Sequence, residues 1–153
     1  MRSQHQSAIT DRYITKLNEM NVMDMSKSFT PSYVFRKEEN QVHSMQGNHI
    51  AGVATSATGA QQVEMWCGRM DANSASPPHC HDTEEIVLFL KGSGRATVAG
   101  REVRYQSGDT LILPRNQIHQ IFSDTESEFV SAMPITSTVT LPDGVVIDLP
   151  WRS

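Results

Sequence analysis

The chain of 153 residues is poor in cysteine: Cys67 and Cys80 are its only two, and no CxxC spacing joins them. That excludes a disulfide framework, and a reduced pair suits a cytoplasmic protein. Long apolar runs are missing as well. None approaches the ~20 residues that span a bilayer, and the opening MRSQHQSAIT has no apolar core of a secretory signal. Lysine is scarce, with four in the chain, and the net charge is −4 with no basic cluster beyond Arg101 and Arg104. Nucleic acid and acidic membrane are poor partners for such a composition. No G-x-S-x-G elbow supports Ser-His-Asp hydrolysis. No phosphate loop or dinucleotide fingerprint appears, because GSGRATVAG lacks the required glycine spacing. These absences predict a soluble, cytoplasmic, globular protein.

What is present fits one domain. A chain of this length buries roughly 70% of its unfolded surface, enough to fold without a staple. Residues 1–32 are polar and rich in Ser, Gln, Asn and Met. Within them Ile9, Tyr13, Leu17 and Met20 recur at helical spacing, which predicts a short amphipathic helix in an N-terminal extension. After Pro31 the texture changes. Short β-like segments follow near 33–36, 48–54, 62–70, 84–91, 94–99, 102–106, 109–113, 118–123, 127–133, 137–141 and 144–149. Turns fall at Gly92-Ser93-Gly94, Ala99-Gly100, Ser107-Gly108-Asp109 and Pro142-Asp143-Gly144. The pattern predicts an all-β sandwich or barrel over residues 33–153.

Six histidines are present, and two of them sit in PPHCHDTEEIVLFLKG. Side chains alternate along a strand, so His79, His81 and Glu85 share one parity and point to one face. His119 opens a later strand in SGDTLILPRNQIHQ. Three imidazoles and a carboxylate converging inside a barrel make a site for a first-row transition metal rather than calcium or magnesium. Glu84 and Cys80 have the opposite parity and face away. Val87 and Phe89 share the ligand parity and belong in the interior beneath the metal. Trp66 reads as core with access to a ligand. Arg69 and Arg115 flank the motif regions as surface residues or contacts for an anionic substrate. His43 and His49 read as surface or pocket-rim residues.

Over about residues 60–135 the sequence resembles the cupins. Their first motif, G-x5-H-x-H-x3–4-E-x6-G, is met by His79, His81, Glu85 and Gly92. Their second, G-x5-P-x-G-x2-H-x3-N, is met by Gly108, Pro114 and His119. Asn73 and Asn116 stand where the motifs have glycine, and Ser123 where the second ends in asparagine. Asparagine tolerates positive φ, so Asn116 can still make its turn.

The resemblance implies a double-stranded β-helix, a jelly-roll barrel with a metal in its mouth. It implies a divalent transition metal held by His79, His81, Glu85 and His119, with iron or manganese favoured over zinc, nickel or copper. Glu85 could also loosen and serve as the catalytic base. An oxygenase of the dioxygenase type, acting on a small chelating organic substrate, is the first expectation. Metal-dependent isomerase, cyclase or lyase chemistry and a non-catalytic small-molecule carrier are the alternatives, with a metal-free sugar epimerase weaker still. A homodimer is expected from the family, its strands meeting edge to edge.

Overall fold

The computed structural model describes residues 33–152. The helix expected around residues 9–20 lies outside them. Twelve strands follow in chain order. The first group comprises β1 (His43–Met45), β2 (Asn48–Ala54), β3 (Val63–Met70), β4 (Cys80–His81), β5 (Glu85–Lys91) and β6 (Ser93–Val98). The second comprises β7 (Arg101–Gln106), β8 (Thr110–Leu113), β9 (His119–Ser123), β10 (Ser127–Pro134), β11 (Val139–Thr140) and β12 (Val146–Ile147). They form an all-β double-stranded β-helix. One sheet has six strands in the order β1-β2-β3-β10-β5-β8, and two have three, β7-β6-β9 and β12-β11-β4.

Period-two alternation decides what enters the barrel. On β5, Glu85, Val87 and Phe89 are buried while Ile86, Leu88 and Leu90 face out. On β10, Ser127, Phe129, Ser131 and Met133 turn inward. Phe89 stacks on Tyr105 with ring centroids 3.6 Å apart, and the Tyr105 hydroxyl donates to the Phe122 carbonyl at 3.1 Å. Met70, Val87, Ala96, Leu113, Ile121 and Phe129 complete this cluster. A second cluster of Trp66, Met133, Val139 and Leu149 lies apart from it.

Two departures from the sequence reading matter. Residues 33–36 form no strand; they lead into a 3-10 turn at Lys37–Glu39. The free edge of β2 is taken instead by β1, which pairs His43 with Ile50 and Met45 with Asn48. Gln46 and Gly47 make the two-residue connection, with φ of 49° and 78°, as right-twisted hairpins require. The two-residue strand β4 was also not anticipated, because a Pro-Pro loop masks it. No helix of the described residues is long and apolar enough to cross a membrane.

Candidate metal centre

His79 and His119 face each other across an isolated antiparallel bridge. The amide of His79 donates to the His119 carbonyl at 3.0 Å, and that of His119 returns the bond at 2.8 Å. Directly opposed residues put their side chains on the same face of a sheet. His81 follows two residues on and shares the inward side of β4, while Glu85 opens β5 in the six-stranded sheet after the bend at residues 82–84, and the closing of the barrel brings it to the same point. The result is a cluster of His79, His81, Glu85 and His119 whose candidate ligand atoms all lie within 4.8 Å of one another. His81 and His119 are 1% exposed and Glu85 6%.

The donor set fits a cation. The Nδ1 of His79 lies 2.7 Å from the Pro77 carbonyl and that of His119 3.0 Å from the Gln117 carbonyl. A carbonyl only accepts, so each ring carries its proton on Nδ1 and leaves a lone pair on Nε2. Those two Nε2 atoms stand 3.2 Å apart. Two lone pairs so close repel unless a cation or proton lies between them. The Nε2 of His81 is buried with no hydrogen-bond partner, although Glu85 Oε2 is 3.0 Å away. A buried orphaned ligand atom of this kind is what a metal would satisfy.

Electrostatics keep the groups in the ligating forms. Burial pushes the His79 imidazole below its ordinary range, against the pull of the Pro77 carbonyl. Burial, then neighbouring His79, takes His119 down to about 4. Burial opposes ionisation of Glu85, yet the adjacent His81 and the Ser131 hydroxyl together hold its carboxyl below the usual value. Ser131 donates to Glu85 Oε1, and the Ser137 hydroxyl lies 3.4 Å from His81 Nδ1. Both serines escaped the sequence reading. Inward parity on β10 was the one available signal for Ser131, and serine at an inward position is usually silent.

The turn at Asn116 behaves as anticipated. Asn116 has φ of 59° and Asn73 of 62°, so asparagine occupies the left-handed region at both positions. The Asn116 amide donates to the His81 carbonyl at 2.6 Å, tying the second motif to the first. Ser123 is buried, and its hydroxyl lies within hydrogen-bond distance of both the Thr125 carbonyl and the Ser127 hydroxyl. Glu84 is exposed, and Cys80 stays outside the cluster.

The cluster opens on a cavity of about 680 Å³, walled by Ile50, Trp66, Met70, Phe129, Leu149 and Trp151. His43 reaches its wall; His49 instead lies against the carboxylate of Asp71 at 3.2 Å. Neither Arg69 nor Arg115 lines it, so the anionic-substrate role considered for them is not supported. Arg69 is committed to Asp71 and Glu126, and Arg115 is exposed. Trp66 is both core and cavity wall.

Residues 68–133, which hold all four cluster residues, match the family described as the cupin domain. That segment of the chain is similar to a cupin domain. The barrel is similar to the polyketide cyclase RemF from Streptomyces resistomycificus, with a TM-score of 0.62 and 17% identity over 79% of this chain and 90% of that one. It is also similar to a salicylate 1,2-dioxygenase from Pseudaminobacter salicylatoxidans, with a TM-score of 0.52 and 13% identity over 56% of this chain and 26% of that one. At such identities these likenesses show the fold. Among curated proteins, auxin-binding protein 4 from Zea mays is 26% identical over 99 residues, 59% of this chain and 48% of the relative. The chain spans about half the length of the curated relatives it matches.

Proposed function

We propose that this protein is a metal-dependent enzyme for a small organic substrate with an apolar body and a chelating carbonyl, enol or carboxylate. The observation that carries this reading is the three-histidine, one-carboxylate cluster set in the wall of a largely apolar cavity. His79, His81 and His119 would bind through Nε2 and Glu85 through a carboxylate oxygen. Iron or manganese is the favoured metal, since a histidine-rich set with room for further oxygen ligands suits them; zinc, nickel and copper are the alternatives. A divalent metal held there supplies Lewis acidity toward an enolate as its charge develops.

The chain's own residues do the remaining work. Pro77 and Gln117 carbonyls fix the tautomers of His79 and His119. Trp66, Met70 and Phe129 exclude water from one side of the substrate. Glu85, ionised and steadied by Ser131, is assigned the role of base toward a substrate carbon. Oxygenase chemistry with dioxygen as co-substrate is the first reaction assigned, in keeping with the dioxygenase likeness. The fuller overlap with a polyketide cyclase supports cyclisation or isomerisation as the second reading. The auxin-binding relatives support a third, non-catalytic binding of a small molecule. Cytoplasmic residence belongs to the same proposal and is supported by the free thiols of Cys67 and Cys80.

The test is elemental analysis of protein purified without added metal or a histidine tag, beside the His119→Ala variant. Near-stoichiometric iron or manganese, lost in the variant, leads to oxygen-uptake assays with diketones, phenols and hydroxy acids. Zinc or nickel shifts the assignment to cyclase and isomerase assays. Absence of metal even after reconstitution overturns the ligand assignment.

A further inference from the structure

The residues that line the cavity are buried or half-buried except in two places. Val42, Ser44 and Met45 lie on or just before β1, and Asp148 and Pro150 follow β12; all five are exposed. The mouth of the cavity therefore lies between β1 and the segment Asp148–Arg152.

The two lips of that mouth are held differently. β1 is laddered onto β2, and the side-chain nitrogen of Asn48 lies within 3.3 Å of the carbonyls of Met45, Gln46 and Ala75. The other lip enters from β12, which meets β11 through Val146 and Ile147. The bond from the Arg152 amide to the Leu149 carbonyl, 3.0 Å long, closes a turn within the segment itself. Its far end is docked by side chains, Arg152 on Glu64 and Trp151 edge-on to Trp66. A span joined to a barrel at one end and fastened by side chains at the other opens before the sheets do.

The docked position is balanced between opposing terms. Nε1 of Trp66 and Nε1 of Trp151 are both buried without a hydrogen-bond partner, and an unmet donor penalises the state that buries it. Undocking returns the Trp151 indole to water and uncovers the Trp66 ring on which it packs. Against this stands the pair with Glu64, which is 1% exposed while the Arg152 side chain is 23% exposed, so water reaches the fastening from outside. Gly52 seats the docked backbone, since a Cβ there would lie 2.0 Å from the Trp151 carbonyl oxygen. Leu149 and Trp151 are also cavity wall. An apolar body bound in the cavity packs on the docked segment and not on an open one, which shifts the balance toward closure.

We infer that Asp148–Arg152 is a flap, latched by Arg152 to Glu64, that opens to admit the ligand and shuts on its apolar body. This rests on the reading of the cavity as a ligand site and not on the metal, so it is tested without metal or substrate.

The experiment follows modification of the cluster histidines by diethyl pyrocarbonate in the full chain freed of metal, mapped by peptide mass, with His49 as the reference outside the cavity. Wild type is compared with Glu64→Gln/Arg152→Gln, which removes the latch without leaving a buried charge, and with Gly100→Ala as a control for general destabilisation. His79 and His119 should react several-fold faster in the latch variant, with far-UV circular dichroism unchanged. Acrylamide quenching of tryptophan emission should rise in step, because the chain's two tryptophans both sit at the docking contact. Gly100→Ala should react as wild type does. An unchanged rate in the folded latch variant overturns the flap. Equal acceleration in Gly100→Ala overturns it too, since global unfolding then opens the cavity. Hydrogen exchange of the wild type decides the matter even if the latch variant fails to fold. The histidine rate should follow temperature as exchange of the Arg152 amide does; if it follows the Phe89 amide, bonded to Asp109 in the barrel, the flap is overturned.

Discussion

Arg152 donates from Nε to Oε1 of Glu64 at 2.9 Å, joining residues 88 positions apart in the chain. Glu64 is 1% exposed on the inner side of β3. The Arg152 guanidinium also sits over the Trp66 ring, 5.4 Å from its centroid, and Trp151 meets Trp66 edge-on at 5.3 Å. One ion pair and two aromatic contacts therefore hold the segment after Leu149 against the cavity wall.

Removing the cation exposes the cost of burying Glu64. Arg152→Ala should destabilise the fold by about 2 kcal/mol, below the 3–5 of a fully buried pair because the guanidinium is partly solvated. Adding Glu64→Gln should recover part of the loss. Burial already raises the Glu64 carboxyl above its ordinary 4.5 despite Arg152. A carboxyl raised in the folded state is easiest to bury below its unfolded pKa, and that advantage is lost as pH rises through the folded pKa. The gap between variant and wild type should therefore widen as pH climbs from 4.5 upward. Urea denaturation across that range checks it, and a gap independent of pH would remove Glu64 as the cause.

Ser131→Ala should leave the fold intact and weaken metal binding about 10- to 100-fold, the usual effect of losing a partner that orients a ligand. Calorimetric titration of the metal-stripped protein measures this. A change under twofold would mean that Glu85 needs no help from Ser131.

Metal should also raise the melting temperature. A ligand at 100 times its dissociation constant that binds only the folded state adds about 2.7 kcal/mol. His119→Ala should show no such rise, and an equal rise in both proteins would place the metal elsewhere.

Gly52 packs where a side chain has no room: a Cβ would lie 2.0 Å from the Trp151 carbonyl oxygen and 2.7 Å from Thr55. Gly52→Ala should cost about 1–3 kcal/mol, the range for overpacking, and shift tryptophan emission to the red as Trp151 is displaced. Gly100→Ala is the contrast. Open space surrounds Gly100, but its φ is 76°, so it should cost about 1 kcal/mol through the backbone alone and leave the emission unchanged.

Much of the site could be read along the chain because a strand repeats every two residues. That period put His79 and His81 on one side and Cys80 on the other; Glu85 was expected on the same face by the same count, but it opens β5 of a different sheet after a bend at residues 82–84, and barrel closure rather than alternation brings it to the histidines. The period also set Val87 and Phe89 in the interior, and the preference of asparagine for positive φ accounted for Asn116. The same period says nothing about neighbours. The strand expected at 33–36 did not form because β1, folded back by Gln46 and Gly47, already held the edge of β2.

By itself, then, the sequence determined the β class of the barrel, the shared parity of His79 and His81 and the turn at Asn116. All of these depend on local stereochemistry. Tertiary structure alone decided that His119 stands opposite His79 across 40 residues, that Ser131 reaches Glu85, and that Arg152 returns to Glu64. It also decided that Ile86, Leu88, Met65 and Ile112 gather into one apolar face. Those relations depend on which strands pair and in what register, and register is settled only when the sheets close around a shared core.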